Sequence, residues 1–301
     1  MHAEAAGNLS GMNAQFLLSQ LVNGVGNGLI YFLIAVGFTL VFGLMNFVNF
    51  AHGAFFLIGS YLAFDLVDRG ASFWVALLVA PVLAAVLAAL VERLLLRRLY
   101  RMPHTYQIVA TFALAIGVQE LVTLVWGPNQ FTLAPPAGLS ETVDLGGFDY
   151  PSYRIFVVAL TAVLALALWI LLERTRFGAM LRAGSEDTDM VASLGVHIFR
   201  LFSITFAGAA ALAALAGVLS APMRSISPTA GSEVLALAVV VVVVGGIGSY
   251  AGAFLAALAI AEVQAIAVVY APATGDVVIY VLMAVVLLLR SDAIARRFAR
   301  A

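Results

Sequence analysis

The residues Asn46-Phe47-Val48-Asn49-Phe50-Ala51-His52-Gly53 interrupt one of the most apolar regions of the chain. Residues 16–44 before them carry no charged side chain, and residues 54–64 after them are apolar again. A broken helix in lipid exposes N–H and C=O groups that need polar partners. Because transporters bind substrates and ions at such breaks, the stretch predicts either part of a substrate pathway or a polar loop at the membrane surface.

The composition is that of an integral membrane protein. Of the 301 residues, 63% are hydrophobic and 10% are charged, whereas about a quarter of a soluble domain is charged. All 15 basic residues are arginine, and the lack of lysine excludes a lysine-containing phosphate-binding loop and Schiff-base chemistry. The lack of cysteine excludes disulfides, thiolate nucleophiles and cysteine metal sites.

Apolar segments recur along the whole chain, and most of them reach the roughly 20 residues that a membrane helix needs. They cover 16–44, 54–67, 73–96, 107–126, 154–172, 201–221, 233–244, 251–270 and 276–289. This pattern predicts an all-α, polytopic membrane protein with eight or nine membrane segments in a single transmembrane domain over 1–301. Two of the segments are expected to be interrupted, at 46–53 and 245–249. This weak internal similarity indicates either a transporter built from two repeats or two segments that are alike only in composition.

Arginine placement predicts the orientation in the membrane. The regions 93–104, 174–200 and 290–301 hold four arginines each, so they are expected in the cytoplasm. The opposite side has only Arg69, Arg154 and Arg224. The proline- and glycine-containing loop 127–153 is therefore expected outside the cell, as an ordered loop with a small hairpin.

Several motifs occur together in a fixed order. They are Gly37-Phe38-Thr39-Leu40-Val41-Phe42-Gly43, Asn49-Phe50-Ala51-His52-Gly53, Gly59-Ser60-Tyr61, Glu173-Arg174-Thr175-Arg176-Phe177-Gly178, Arg182-Ala183, Leu194-Gly195-Val196 and Gly245-Gly246-Ile247-Gly248-Ser249. This set resembles the LivH-type permease of branched-chain amino acid ABC transporters, over roughly residues 16–290. The resemblance implies a multi-pass permease of the bacterial inner membrane that imports branched-chain or other small hydrophobic amino acids.

The resemblance also implies partners for the chain. They are a second, homologous permease subunit, two cytoplasmic ATPase subunits and an external solute-binding protein. The chain itself carries no ATP-binding motif, so ATP would be hydrolysed by the partner subunits and no cofactor is expected here. The sequence predicts contact with the lipid bilayer and no nucleic-acid partner.

Two sets of site residues follow. We expect the two breaks to approach each other near a pathway between the permease subunits, and the pathway residues would be Asn46, Asn49, His52, Gly53, Gly245, Gly246, Gly248 and Ser249. The family places an ATPase-coupling helix in the loop 174–200, and here acids after Gly184-Ser185 favour a helix N-terminus. The coupling residues would be Arg182, Glu186, Asp187, Asp189, Leu194 and Gly195. Thr188-Asp189-Met190-Val191 departs from the family's Pro-Glu-Ala-Ala, and a solvated surface helix is the alternative.

Other functions are weighed against import. No histidine follows Ser249 to act as its base, and no His-Glu-x-x-His motif exists, so neither a serine protease nor a zinc enzyme is predicted. An ion-coupled secondary transporter would use Glu120, Glu262 or Asp65, although it would need no coupling loop. Related permeases carry urea, short amides or other organic acids, so the substrate stays open.

Overall fold

The computed structural model describes residues 2–100, 102–144, 149–270 and 275–289, and this part of the chain is almost entirely helical. The helices are α1 (His2–Met45), α2 (His52–Asp68), α3 (Phe73–Leu94), α4 (His104–Trp126), α5 (Ser152–Arg174), α6 (Arg176–Glu186), α7 (Thr188–Ser193), α8 (Ile198–Ser220), α9 (Ala230–Gly245), α10 (Tyr250–Tyr270) and α11 (Gly275–Leu289). A 3₁₀ turn covers Leu96–Leu99, and β1 (Thr142–Asp144) pairs with β2 (Asp149–Pro151).

In the described part of the chain, six helices are long and apolar enough to cross a membrane, namely α3, α4, α5, α8, α10 and the Leu18–Met45 part of α1. They confirm the predicted polytopic helical membrane protein. The helices α2, α9 and α11 have 17, 16 and 15 residues, which corresponds to about 22–26 Å at 1.5 Å per residue. Length and composition thus identify six segments among the described residues, and the count of eight or nine stays a prediction.

The helix α1 runs through the centre of the protein. Its middle part is buried on every side, and Phe32, Leu33 and Ile34 are at most 1% exposed. It packs against α8, α9 and α10. This position explains why the segment is apolar all round rather than on one face.

Small residues let the other helices approach closely. Ala76, Ala80, Ala84 and Ala88 recur at every fourth position of α3, all fully buried, and α3 packs along α8. In α8, a Cβ placed on Gly217 would lie 2.2 Å from the carbonyl oxygen of Phe56 in α2. Side chains larger than these would separate the helices, since backbone contact of this kind needs glycine or alanine.

The predicted external and cytoplasmic loops lie at opposite ends of α5. The strands β1 and β2 form an antiparallel pair directly before α5, so the predicted hairpin is confirmed. The helices α6 and α7 follow directly after α5. The predicted cytoplasmic tail 290–301, its four arginines and Arg101 lie outside the described residues.

Candidate functional site

The first break joins α1 to α2. The helix α1 ends at Met45, and Asn46 has a positive φ of 47°. Its N–H donates to the carbonyl oxygen of Phe42 at 3.0 Å. Asparagine is one of the few residues besides glycine that adopt this conformation readily. The exposed Asn46 therefore closes α1 and turns the chain away from the helix axis.

Polar side chains hold the segment that follows. Thr111 Oγ1, in α4, accepts the N–H of Phe50 at 3.1 Å and lies 3.3 Å from the carbonyl oxygen of Val48. Asn49 Oδ1 accepts the N–H of Ala51 at 3.1 Å. These contacts give non-helical backbone the partners that it needs inside a membrane protein. Asn49 Nδ2 is buried and donates no hydrogen bond within the described part of the chain.

His52 begins α2 deep inside the protein. Its side chain is 1% exposed, and its Nε2 lies 3.0 Å from the carbonyl oxygen of Ile34. Ile34 precedes the end of α1 by about 17 Å along the helix, at 1.5 Å per residue. The chain therefore turns back along α1 before α2 starts. Residues 46–51, here called the re-entrant segment, therefore fold back along α1 between two separate helices.

Gly53 fixes the start of α2 against α9. A Cβ placed on Gly53 would lie 2.0 Å from the carbonyl oxygen of Gly231. Backbone thus contacts backbone at this point, and no side chain other than hydrogen fits at position 53 without movement. Together with the buried His52, this contact gives the end of the re-entrant segment a packing role.

The second break is a tight turn between α9 and α10. A Cβ placed on Gly252 would lie 1.9 Å from the carbonyl oxygen of Gly245. Gly246 and Gly248 have φ values of 97° and 78°, which residues with side chains rarely adopt. Ser249 Oγ accepts the N–H of Gly252 at 3.0 Å and caps the start of α10. The prediction of an interrupted helix is wrong here, because the turn joins two separate helices.

The two breaks meet through the end of α1. A Cβ placed on Gly43 would lie 2.8 Å from the Cα of Gly248. Gly53 instead contacts Gly231 at the opposite end of α9, which is about 21 Å from Gly245 along that helix. The first break therefore begins at the end of α1, beside the second break, and ends at Gly53, beside the opposite end of α9.

Exposure separates the predicted pathway residues into two groups. The residues buried within the chain are Asn49, His52 and Gly53. The residues that are at least partly exposed are Asn46, Gly245, Gly246, Gly248 and Ser249. Only the second group is open to a solute or to a partner subunit in this conformation.

The predicted coupling loop contains two short helices. Asp187 Oδ1 accepts the N–H groups of Asp189 and Met190 at 3.0 and 2.9 Å, so Asp187 caps α7. Asp187 and Asp189 therefore occupy a helix N-terminus, as predicted. Glu186 does not, because it ends α6, and Gly184 and Ser185 lie inside that helix. Thr175, whose Oγ1 accepts the N–H of Gly178 at 3.3 Å, starts α6 earlier than the acids suggested.

The remaining coupling residues have different environments. Arg182 donates to the carbonyl oxygen of Leu172 and lies 3.4 Å from the carboxylate of Glu173, so it ties α6 back to α5. Leu194 is 76% exposed at the end of α7, and Gly195 has a φ of 87°. Met190 is 50% exposed, whereas Val191 beside it is buried. The structure thus presents two apolar side chains on the outer face of a firmly anchored loop.

A buried carboxylate near this end of the protein has no counterpart in the sequence predictions. Glu92, fully buried in α3, accepts hydrogen bonds from Tyr100 at 2.6 Å and Ser203 at 2.5 Å. Arg97 Nε lies 3.8 Å from the same carboxylate. Burial and the bond to Glu92 raise the pKa of Tyr100 well above its usual range, so Tyr100 stays a donor. Glu92 and Ser203 are 111 positions apart in the sequence, so no local pattern predicts this cluster.

Glu120 and Glu262, which the sequence suggested as ion sites, lie on different helices. Glu120 is exposed on α4. Glu262 in α10 packs on Gly24 of α1, where a Cβ would lie 2.6 Å from its Oε2. That oxygen is buried without a hydrogen bond among the described residues. The same part of the structure contains no group of three or more histidine, aspartate and glutamate residues that could hold a metal ion.

Comparison with known proteins identifies the family. The family described as "Branched-chain amino acid transport system / permease component" matches residues 20–287. The permease protein LivH of Escherichia coli K12 is 32% identical over 95% of this chain and 98% of its own length. BraD of Pseudomonas aeruginosa is 32% identical over 93% of this chain and 96% of its own length.

A second kind of permease is also similar. LivM of Escherichia coli K12 is 29% identical over 76% of this chain and 59% of its own length. No solved structure matches the chain. Because the family covers the described bundle from α1 to α11, including both breaks and the coupling loop, the chain belongs to the permease components of branched-chain amino acid transport systems.

Proposed function

We propose that this chain is the transmembrane permease subunit of an ATP-driven ABC importer for branched-chain or other small hydrophobic amino acids. The observation that supports it most strongly is the family match over residues 20–287, together with relatives that align over almost their full length. The importer would work by alternating access in the inner membrane of a bacterium.

The remaining subunits of the importer follow from the same proposal. A second, homologous permease would complete the pathway, and the similarity of this chain to both LivH and LivM supports a pair of related permeases. Two cytoplasmic ATPases would hydrolyse ATP, and an external solute-binding protein would deliver the amino acid. This chain would bind no cofactor.

We propose nine membrane segments, in which α2, α9 and α11 cross with the six longer helices. Arg69 and Asp65, 2.7 Å apart, mark the far end of α2, while its first residue lies deep in the protein. The helix α2 would thus cross only part of the membrane, and the re-entrant segment 46–51 would supply the rest. The N-terminal end of α2 is covered by α9, because Gly53 packs on Gly231.

The exposed residues of the two breaks would form the cytoplasmic end of the pathway. Asn46, Gly248 and Ser249 lie at the same end of the bundle as α6 and α7, because Gly184 of α6 contacts Leu44 of α1. The buried Asn49, His52 and Gly53 would instead hold the re-entrant segment in position. A pathway that offers transient backbone contacts binds its cargo weakly, which suits release.

The coupling role rests on α7 and its surroundings. Met190 and Leu194 are exposed apolar side chains, and Glu186 and Asp189 add exposed negative charge beside them. A cleft in a partner ATPase would cover the apolar pair, and Arg182 would keep α6 attached to α5 so that movement of α7 reaches the membrane helices.

The proposal is tested by uptake into proteoliposomes. The chain would be purified with the permease, ATPases and binding protein encoded next to it, and uptake of labelled leucine measured with and without ATP inside. Uptake that requires ATP and the binding protein supports the proposal. Uptake by this chain alone that collapses with a proton or sodium ionophore would support the ion-coupled rival, and uptake of labelled urea instead of leucine would support a urea or amide permease.

A further inference from the structure

A cavity of about 430 Å³ opens between α1, α9, α10, α11 and the turn that links α8 to α9. Its wall includes Arg154, in the first turn of α5 directly after the hairpin of β1 and β2. The cavity therefore lies at the end of the bundle opposite to α6 and α7. This end is the external one in the predicted orientation, so the cavity faces the side from which an importer receives its solute.

Charged groups of both signs surround the opening. Arg224 and Glu233 form an ion pair of 3.2 Å whose side chains are 42% and 52% exposed. Thr229 donates to the other carboxylate oxygen of Glu233 at 2.9 Å. Arg154 donates to Asn23 Oδ1 on α1. Two guanidinium groups and one carboxylate leave an excess positive charge at this opening.

Arginine is scarce on this side of the membrane. Only Arg69, Arg154 and Arg224 lie outside the predicted cytoplasmic regions, and two of these three line the same cavity. The third, Arg69, is bound by Asp65 at 2.7 Å elsewhere on the surface. Since external arginine works against the orientation signal, the placement of two of them at one cavity indicates a binding role.

The wall of the cavity combines polar and apolar side chains. Ile30 and Leu237 line the cavity, and Tyr31 of α1 donates to Gln264 of α10 at 2.9 Å beside them. Small-molecule sites pair apolar wall residues with polar groups that orient the ligand, in volumes of about 300–1,000 Å³. An aliphatic α-amino acid has the matching parts, which are a carboxylate, an ammonium group and an apolar side chain.

We infer that this cavity is the external reception site for a zwitterionic aliphatic α-amino acid. Arg154 and Arg224 bind the carboxylate, Glu233 binds the ammonium group, and the aliphatic side chain lies against Ile30 and Leu237. The Arg224–Glu233 pair opens at little cost, because ion pairs between solvent-exposed side chains contribute little to stability. The inference rests on the proposed function and selects an amino acid over neutral urea or short amides, which have no carboxylate or ammonium group to replace the partners in the Arg224–Glu233 ion pair.

The absence of native cysteine makes a direct binding test possible. Leu237→Cys places a single thiol on the cavity wall, and Met223→Cys in the turn after α8 gives a second reporter if the first does not fold. The rate of modification by a small water-soluble thiol reagent is measured in the assembled complex, with leucine or urea at 50 mM. We expect leucine, and not urea, to slow modification of the cavity thiol, while Ser140→Cys in the external loop reacts at one rate throughout.

Charge variants complete the test. Adding Arg224→Gln or Glu233→Gln to the reporter should raise the leucine concentration needed for protection by about tenfold, the loss expected for one charge-assisted hydrogen bond. The control Arg69→Gln should leave the leucine concentration needed for protection unchanged. If the complex imports leucine but leucine protects neither reporter, or urea protects equally, the cavity is not the reception site. If the wild-type complex imports no amino acid, the proposed function fails, and the inference that rests on it fails with it.

Discussion

Gly184 in α6 packs directly on Leu44 in the last turn of α1, where a Cβ placed on Gly184 would lie 2.9 Å from Leu44 Cδ1. Leu44 also shares a buried cluster with Leu181 of α6 and Leu201 of α8. Its neighbour Gly43 lies on Gly248 in the second break. A movement of α6 would therefore act first on the residues that precede Asn46, and this packing is a physical route from the coupling loop to both breaks.

A larger side chain at position 184 should uncouple α6 from the two breaks. We expect Gly184→Val to separate α6 from Leu44 and to lower ATP-dependent leucine uptake about tenfold, equivalent to about 1.4 kcal/mol, while ATP hydrolysis continues. Uptake and hydrolysis would be measured in the same proteoliposomes. The control is Gly208→Val in α8, since a Cβ there meets no atom within 4 Å. Equal uptake by both variants would show that the contact transmits nothing.

The two loops should label from opposite sides of the membrane. Ser140 and Ser185 are both exposed, and the native chain has no cysteine, so each can carry the only thiol. We expect an impermeant reagent added outside sealed cells to label Ser140→Cys and not Ser185→Cys. Permeabilised cells, in which both should react, control for accessibility. Labelling of both in sealed cells would overturn the orientation that the arginine count predicts.

Local features of this fold could be predicted from the sequence. Each apolar segment became a helix, because its length and hydropathy leave no other structure that satisfies its backbone in a membrane. The turn-forming residues of the external loop correctly indicated the hairpin at β1 and β2. Asp187 was placed at a helix start because its short carboxylate caps free N–H groups.

Long-range contacts could not be predicted in the same way. The re-entrant path of the first break depends on Thr111 and on the carbonyl oxygen of Ile34, and neither is marked by local pattern. Glu92 meets Ser203 across 111 positions of sequence. Glu186 ends α6 instead of starting a helix, because Thr175 caps that helix eleven residues earlier, and Thr175 is not marked by the acids.

The Glu92 cluster should be important for stability. Glu92→Ala would leave the buried hydroxyls of Tyr100 and Ser203 without their acceptor, and we expect a loss of about 2–4 kcal/mol. Glu92→Gln keeps one carbonyl acceptor and should cost less. Thermal unfolding in detergent measures both, with the exposed Glu141→Gln as the control. A Glu92→Ala variant as stable as the control would mean that the cluster contributes nothing.

The exposed apolar pair of α7 should bind the ATPase. We expect Met190→Asp and Leu194→Asp to reduce the amount of ATPase that co-purifies with the chain by at least about tenfold, because each places a charge in an apolar contact. The variants Met190→Leu and Leu194→Ile keep the apolar surface and should co-purify normally. The aspartate variants should still reach the membrane, since both positions lie outside the core. Normal co-purification would leave α7 as a solvated surface helix.

Gly246 offers the sharpest test of the second break. Residues other than glycine rarely adopt its φ of 97°, so a side chain there should cost about 1–3 kcal/mol of backbone strain. The side chain would cause no clash, because a Cβ at position 246 would meet no atom within 4 Å. We expect Gly246→Leu to assemble and to hydrolyse ATP, and to import leucine at least about tenfold more slowly. Gly138→Leu in the external loop has the same freedom from contact at a φ of 88° and controls for strain alone. If Gly246→Leu imports at the normal rate, the turn is not part of the pathway. If it fails to assemble while Gly138→Leu assembles, the glycine is a packing residue and the pathway role loses its support.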